Sequence, residues 1–124
     1  MVADINESLR EELVRVARTA TGDDLRSVVY FDPETFEQLY LRAELEHDAD
    51  VSTFVDYERH GFEADATYGD SELGEYRFTI RAFDYGYITC VVGAGHGVFV
   101  TTDELSIDRF EEVASALTGV LREH

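Results

Sequence analysis

Lysine and tryptophan are absent from this chain of 124 residues, and cysteine, methionine and proline each occur once. Each gap excludes something. With Cys90 as the lone thiol no internal disulfide can form, which argues against a small secreted scaffold held by bridges and for a reducing compartment. Without lysine there is no Walker-type phosphate loop. No run approaches the roughly 20 apolar residues of a membrane span, and the opening Met1-Val2-Ala3-Asp4 carries no basic-then-apolar signal. No block of five or more like charges is present, so the chain does not read as a charged interaction tail.

What is present is acid. Asp and Glu number 27 against 10 arginines, giving a net charge of −17 and a sequence pI near 4.3. Such a chain repels itself at low ionic strength and becomes workable where salt screens the charge. Spread evenly, the acids read as a hydration coat suited to brine. Arginine remains where its planar fork pairs with carboxylates. High genomic GC content also replaces lysine by arginine, but it does not account for so many acids. The charge disfavours nucleic acid, whose binding needs clustered basic residues, and equally disfavours anionic membranes. A soluble cytoplasmic protein is expected. The apolar fraction of 44%, with seven tyrosines and eight phenylalanines, is enough for a real core in a single α+β domain spanning residues 1–124.

Ile5, Leu9, Leu13, Val16 and Ala20 recur at helical spacing, with Asp4 and Glu7 as a capping pair, Gly22 as a stop, and Glu7–Arg10 and Glu11–Arg15 as exposed pairs. Arg26 to Phe31 reads as a strand. Asp32-Pro33-Glu34-Thr35 then allows two continuations: a hairpin whose second strand is Phe36 to Arg42, which the turn chemistry favours, or a helix with Phe36, Leu39, Tyr40 and Ala43 on one face. A second helix is expected from Asp50, with Val51, Phe54, Val55 and Phe62 inward and Gly61 weakening or ending it, followed by a loop from Asp65 to Gly74. Tyr76 to Ala82 alternates with period two and one buried face. Turns at Asp84-Tyr85-Gly86 and Gly93-Ala94-Gly95-His96-Gly97 lead to strands Tyr87 to Val92 and Val98 to Thr102. Ser106 caps a last helix with Ile107, Phe110, Val113, Ala114, Leu117, Val120 and Leu121 on its apolar face. The expected fold is a five-stranded antiparallel sheet with three flanking helices, in the order α-β-β-α-β-β-β-α.

That order and length resemble the profilin-like group, and most of all the Roadblock/dynein-light-chain domains. Leu25-Arg26-Ser27-Val28-Val29-Tyr30-Phe31, Glu37-Gln38-Leu39-Tyr40-Leu41-Arg42, Gly74-Glu75-Tyr76 and Gly97-Val98-Phe99-Val100-Thr101-Thr102-Asp103 also resemble small acidic haloarchaeal proteins that are uncharacterised. The Roadblock resemblance implies a non-enzymatic dimer of the kind that regulates or scaffolds small GTPases. The second helix and the strand after it would then be the pairing surface.

Chemistry-bearing residues are few. The glycines of 93–97 open into a β-branched strand rather than a helix, so they read as a hairpin and not a phosphate cradle. Cys90 and His96 are six residues apart, but His47, His60 and His124 have no ligand-like spacing with them, and no metal or other cofactor is expected. Ser71 and Ser106 sit in loop and cap contexts, and no nucleophile elbow occurs, so no catalytic residue is assigned. With 27 acids, carboxylate pairs carry no information. Arg42, Arg77 and Arg81 lie on predicted strands; Arg77 and Arg81 share one face and either form an anion-binding or partner-binding patch or pair with surface acids. Phe83, Tyr85 and Tyr87 surround the turn at Gly86. With Phe54 and Tyr57 of the second helix they complete the expected interaction surface. The function read from the residues is a self-associating interaction module. The alternative is a sensor holding a small ligand between sheet and helices.

Overall fold

The computed structural model describes residues 5–43, 51–68, 71–93 and 95–124. The first helix, α1, is Glu7–Thr21. Its cap is Asn6, whose side-chain oxygen accepts from the Leu9 amide at 2.8 Å; the expected cap Asp4 lies outside the described residues. Gly22 ends it as anticipated, at φ 60°, donating to the Arg18 carbonyl. Glu7 pairs with Arg10, but the expected Glu11–Arg15 pair does not form. A short 3-10 turn, Gly22–Asp24, leads into β1, Leu25–Phe31.

The ambiguous segment is a hairpin. β2 is Phe36–Leu41, antiparallel to β1 with a bulge between Val28 and Val29. Asp32 builds the corner: one carboxylate oxygen accepts from the amides of Glu34 (2.8 Å) and Thr35 (2.7 Å), the other from the Thr35 hydroxyl. Burial works against its charge, yet these donors and nearby Arg59 hold its carboxyl below the usual range.

The single helix expected next is two, α2 (Val51–Glu58) and α3 (His60–Tyr68). The break falls at Arg59 and not at Gly61. The Arg59 guanidinium reaches back to the carbonyls of Asp32 (2.9 Å) and Thr35 (3.2 Å), tying the helix junction to the β1–β2 corner. Gly61 sits inside α3, where a Cβ would come within 3.1 Å of Val92, so it serves close packing. Helix also replaces the first part of the loop expected from Asp65 to Gly74, as far as Tyr68, whereas Ser71 to Gly74 forms a tight turn. The proposed cap Asp50 and loop residues Gly69 and Asp70 lie outside the described residues.

β3 is Thr79–Phe83, starting three residues later than the alternation predicts. β4 is Gly86–Gly93 and β5 is His96–Thr102. The strand order is β2-β1-β5-β4-β3, every pairing antiparallel. Helix α4, Ile107–Glu123, is capped by Ser106 as predicted. Its expected apolar residue Ile107 is instead 65% exposed.

The sheet is covered on both faces. On one, α1 and α4 bring Leu9, Leu13, Ala17, Val113 and Leu117 onto Val28, Val91, Val98 and Val100. On the other, Val51 and Val55 of α2 join Val29, Phe31, Ile88, Cys90 and Phe99, with Phe54, Phe62 and Val92 packed at the side. Among the described residues no helix is long and apolar enough to cross a membrane.

Candidate functional site

Alternation along the strands decides which predicted residues meet. Thr79, Arg81 and Phe83 of β3 pair with Cys90, Ile88 and Gly86 of β4 and so face α2. Phe83 and Tyr85 are 50% and 89% exposed, respectively. The Phe83 ring lies 6.1 Å from that of Phe54, which in turn meets Phe99 at 6.4 Å. Together with Val29, Gln38 and Thr101 on the sheet they bound an open groove of 470 Å³ between α2 and the β3–β4 turn. At its floor the side-chain oxygen of Gln38 is buried with no hydrogen-bond partner among the described residues.

The other predicted members differ in their contacts. Tyr87 also lines the groove, but its ring packs on Phe110 of α4 at 5.2 Å, toward the opposite face of the sheet. Tyr57 is exposed and stacks on His60 at 5.9 Å. Arg77 precedes β3, with its guanidinium 5.4 Å from the Phe78 ring centre. Arg81 donates from Nε to Glu58 at 2.7 Å, and Glu58 is 2% exposed. No joint strand face of two arginines therefore exists. Arg42 pairs with Asp103, which also holds Arg26. Hydrogen bonding from Arg42 outweighs burial and, with Arg26, keeps the Asp103 carboxyl below the ordinary range.

The Glu58 carboxylate also meets Cys90. Burial pushes that thiol well above its ordinary value, and the charge and hydrogen bond of Glu58 add to the effect. A thiol held protonated in this way is a packing group. His96 lies on the other face of the sheet, its Nδ1 2.8 Å from the Tyr30 hydroxyl and its Nε2 3.2 Å from the Leu121 carbonyl. A carbonyl only accepts, so Nε2 carries the proton and Tyr30 donates to Nδ1. Cys90 and His96 thus cannot share an ion. Ser71 donates to the Gly74 carbonyl and Ser106 caps α4. His47 lies outside the described residues.

The structure adds one group that spacing along the chain does not reveal. His124 lies 2.8 Å from Glu12, with Glu123 alongside, so these three could present ligand atoms to a cation. Residues 112 positions apart meet only because α1 and α4 pack side by side, a relation that could have been inferred only from the two apolar faces. All three are at least partly exposed, as carboxylates on this surface generally are.

The chain belongs to the family described as Domain of unknown function (DUF7522), whose model matches residues 11–122. No curated protein matches it. Among solved structures it is similar to the gliding protein MglB from Thermus thermophilus, at 10% identity over 97% of this chain and 96% of that one, with a TM-score of 0.63. MglB in a tetrameric arrangement is similar at 11% identity, 96% and 94% coverage and a TM-score of 0.62. A Roadblock/LC7 domain from Streptomyces avermitilis is similar at 16% identity, 98% coverage of both chains and a TM-score of 0.56. The fold is accordingly Roadblock-like: α+β, with a five-stranded antiparallel sheet flanked by helices.

Proposed function

We propose that this chain is a non-enzymatic regulatory or scaffolding module that pairs with a second copy of itself through α2, the outer edge of β3 and the β3–β4 turn. The observation that carries this reading is the coincidence of a sheet edge that is unpaired among the described residues with exposed aromatics. β3 ends the strand order, and Phe83 and Tyr85 stand exposed beside it. An open edge is a ready template for pairing, and large aromatics at its end supply anchor area. Phe54, Tyr57 and Arg81 border the same surface and Tyr87 lies at its margin, while Arg77 stands at the other end of β3. The tetrameric arrangement of one MglB neighbour supports self-association as a use of this fold. The Roadblock likeness supports a small GTPase as the kind of partner such a pair would serve.

The lysine-free, acid-coated composition supports the salt-rich cytoplasm of a halophilic archaeon as the setting. Two copies at −17 each repel one another, so pairing depends on salt. Light scattering in multimolar KCl should give a dimer for the parent chain and a folded monomer for Phe83→Asp. A strict monomer at tens of micromolar overturns the reading. The second reading, a sensor for a small ligand, is favoured by one observation, the unsatisfied Gln38 oxygen at the floor of the groove, which could accept from a donor on that ligand. Copurification of a stoichiometric small molecule, lost in Gln38→Leu, would select it.

A further inference from the structure

A second cleft, of 670 Å³, lies at the far end of β3 from the Phe83 groove. It runs between residues 75–78, the end of β4 and the C-terminal half of α4. Its size is within the roughly 300–1,000 Å³ typical of small-molecule sites. Two features set it apart from ordinary surface. The first is its charge. Arg10, Arg26, Arg42, Arg59, Arg81 and Arg109 each pair with a carboxylate. Arg15 and Arg18 lie on α1, away from the cleft, with Arg18 over the Tyr40 ring. Arg77 and Arg122, which both line the cleft, form no ion pair among the described residues. Arg15 and Arg18 likewise form no ion pair among the described residues; what distinguishes Arg77 and Arg122 is that both line one concavity, in a chain of net charge −17.

The second feature is empty space held by glycine. Gly93 and Gly119 line the cleft, and a Cβ at either would meet nothing within 4 Å. Neither has the positive φ that requires glycine. Gly119 lies inside α4, where glycine costs roughly 1 kcal/mol relative to alanine. Neither packing nor backbone geometry demands that residue, and the missing side chains leave the cleft open at both positions. The remaining walls supply a planar and a polar side. Tyr76 and Phe78 give aromatic surface, and Ser115 and Thr118 give hydroxyls; that of Thr118 donates to the Ala114 carbonyl and keeps its lone pairs. Glu75 stands at the rim, ready to accept from an N–H donor and leaving a local charge of about +1 from these three groups.

We infer that this cleft binds a phosphate monoester carried on a planar, nitrogen-bearing body, a ligand of mononucleotide size. Two arginines match the near-dianionic charge of such a phosphate, and their forks bind its oxygens bidentately at a range that salt screens little. The aromatic wall takes the planar body, and Glu75 takes its amino group. This site is separate from the proposed pairing surface.

Titration calorimetry of the full chain in high KCl with AMP as probe tests the inference, with adenosine and inorganic phosphate as comparison ligands. AMP is expected to bind about ten-fold or more tightly than either, since one charge-assisted contact is worth about that factor. Arg77→Gln and Arg122→Gln should each weaken AMP about ten-fold or more while the circular dichroism stays unchanged. Gly119→Leu should fill the cleft and abolish binding without lowering the melting temperature, because it removes a helix-interior glycine. The inference is overturned if AMP shows no saturable binding, if it binds no better than adenosine, or if Gly119→Leu leaves its affinity intact.

Discussion

Replacing Gly97 with alanine tests how the sheet is packed. A Cβ at that position would lie 2.5 Å from Cζ of Phe31 and 3.0 Å from both ring Cε atoms, where carbon atoms in contact normally sit about 3.5–4.0 Å apart. The ring must therefore retreat by about an ångström. It has nowhere to go: Phe31 is fully buried, with Phe62 at 5.6 Å and Phe99 at 6.2 Å between ring centres. The register that sets Phe31 opposite Gly97 runs unbroken from Ser27–Thr101 to Phe31–Gly97, so sliding the strands is not an escape. Overpacking of this kind costs roughly 1–3 kcal/mol, which for a chain of this size lowers the melting temperature by roughly 5–15 °C. Thermal and urea unfolding in high KCl would measure it. Phe31→Leu alone should also destabilise, by roughly 1–2 kcal/mol, through the void it leaves. The double variant should recover at least about 1 kcal/mol of the summed loss, because the smaller side chain makes room for the new methyl group. If Gly97→Ala lies within about 0.5 kcal/mol of the parent, or the two changes simply add, the glycine is not there to accommodate the ring.

Three further outcomes are expected. Arg81→Ala strands the Glu58 carboxylate inside the protein and should cost roughly 2–3 kcal/mol, discounted from the fully buried case because Arg81 is partly exposed; the double change Arg81→Met with Glu58→Leu should be less costly, and equal loss in both would refute the pair as the cause. Asp32 and Asp103 have folded-state values held below 3.8, so their contribution is complete above that pH and lost as pH falls through the lowered values. The urea midpoint should therefore fall in acid beginning near pH 4, and Asp103→Asn should flatten that limb; an unchanged limb counts against the assignment. Melting temperature should keep rising with KCl beyond about 1 M, where the Debye length is already about 3 Å; a plateau at lower salt would mean that simple charge screening is all the acid coat requires.

The strands and outer helices were legible because their signals are local. The Asp32 corner, the Ser106 cap, the Gly22 stop and the Asp84-Tyr85-Gly86 turn into β4 each depend on residues a few positions apart, and each forms where expected. Errors fall where a distant group decides. The α2–α3 break is set by Arg59 bonding to carbonyls 24 and 27 residues earlier, and nothing in the sequence near Gly61 reports that. β3 starts late because 76–78 leaves the sheet to line the cleft against α4. Treating every acid as surface coat failed at Glu58, which is buried against Arg81 and Cys90. At the site, Phe54, Phe83 and Tyr85 were brought together as turn and helix patterns implied. Tyr87 lines the same groove but turns its ring to Phe110, because the next residue along a strand faces the other side of the sheet once its register is set.

The acid coat itself points to where recognition occurs. Carboxylates distributed over the whole surface give a repulsion that is much the same from every direction, so they cannot single out a partner or an orientation. Specific contact must come from whatever departs from the coat, and two kinds of group do: exposed aromatics and arginines without an acid. Scattered exposed apolar residues such as Leu73 and Ile107 are ordinary. Arg15 and Arg18 stand apart on α1 and Tyr57 on α2, but several of the departures gather around β3. Phe83 and Tyr85 stand at one end of the strand, beside the groove under α2; Arg77 stands just before its other end, beside the cleft on α4. Like β2 at the opposite side of the sheet, β3 has one edge open and no fully buried residue, unlike β1, β4 and β5 at the centre. A strand so lightly committed to the core is free to commit elsewhere. Substitutions there should therefore change association or ligand binding at small cost in stability, whereas those in β1 and β5 should do the reverse.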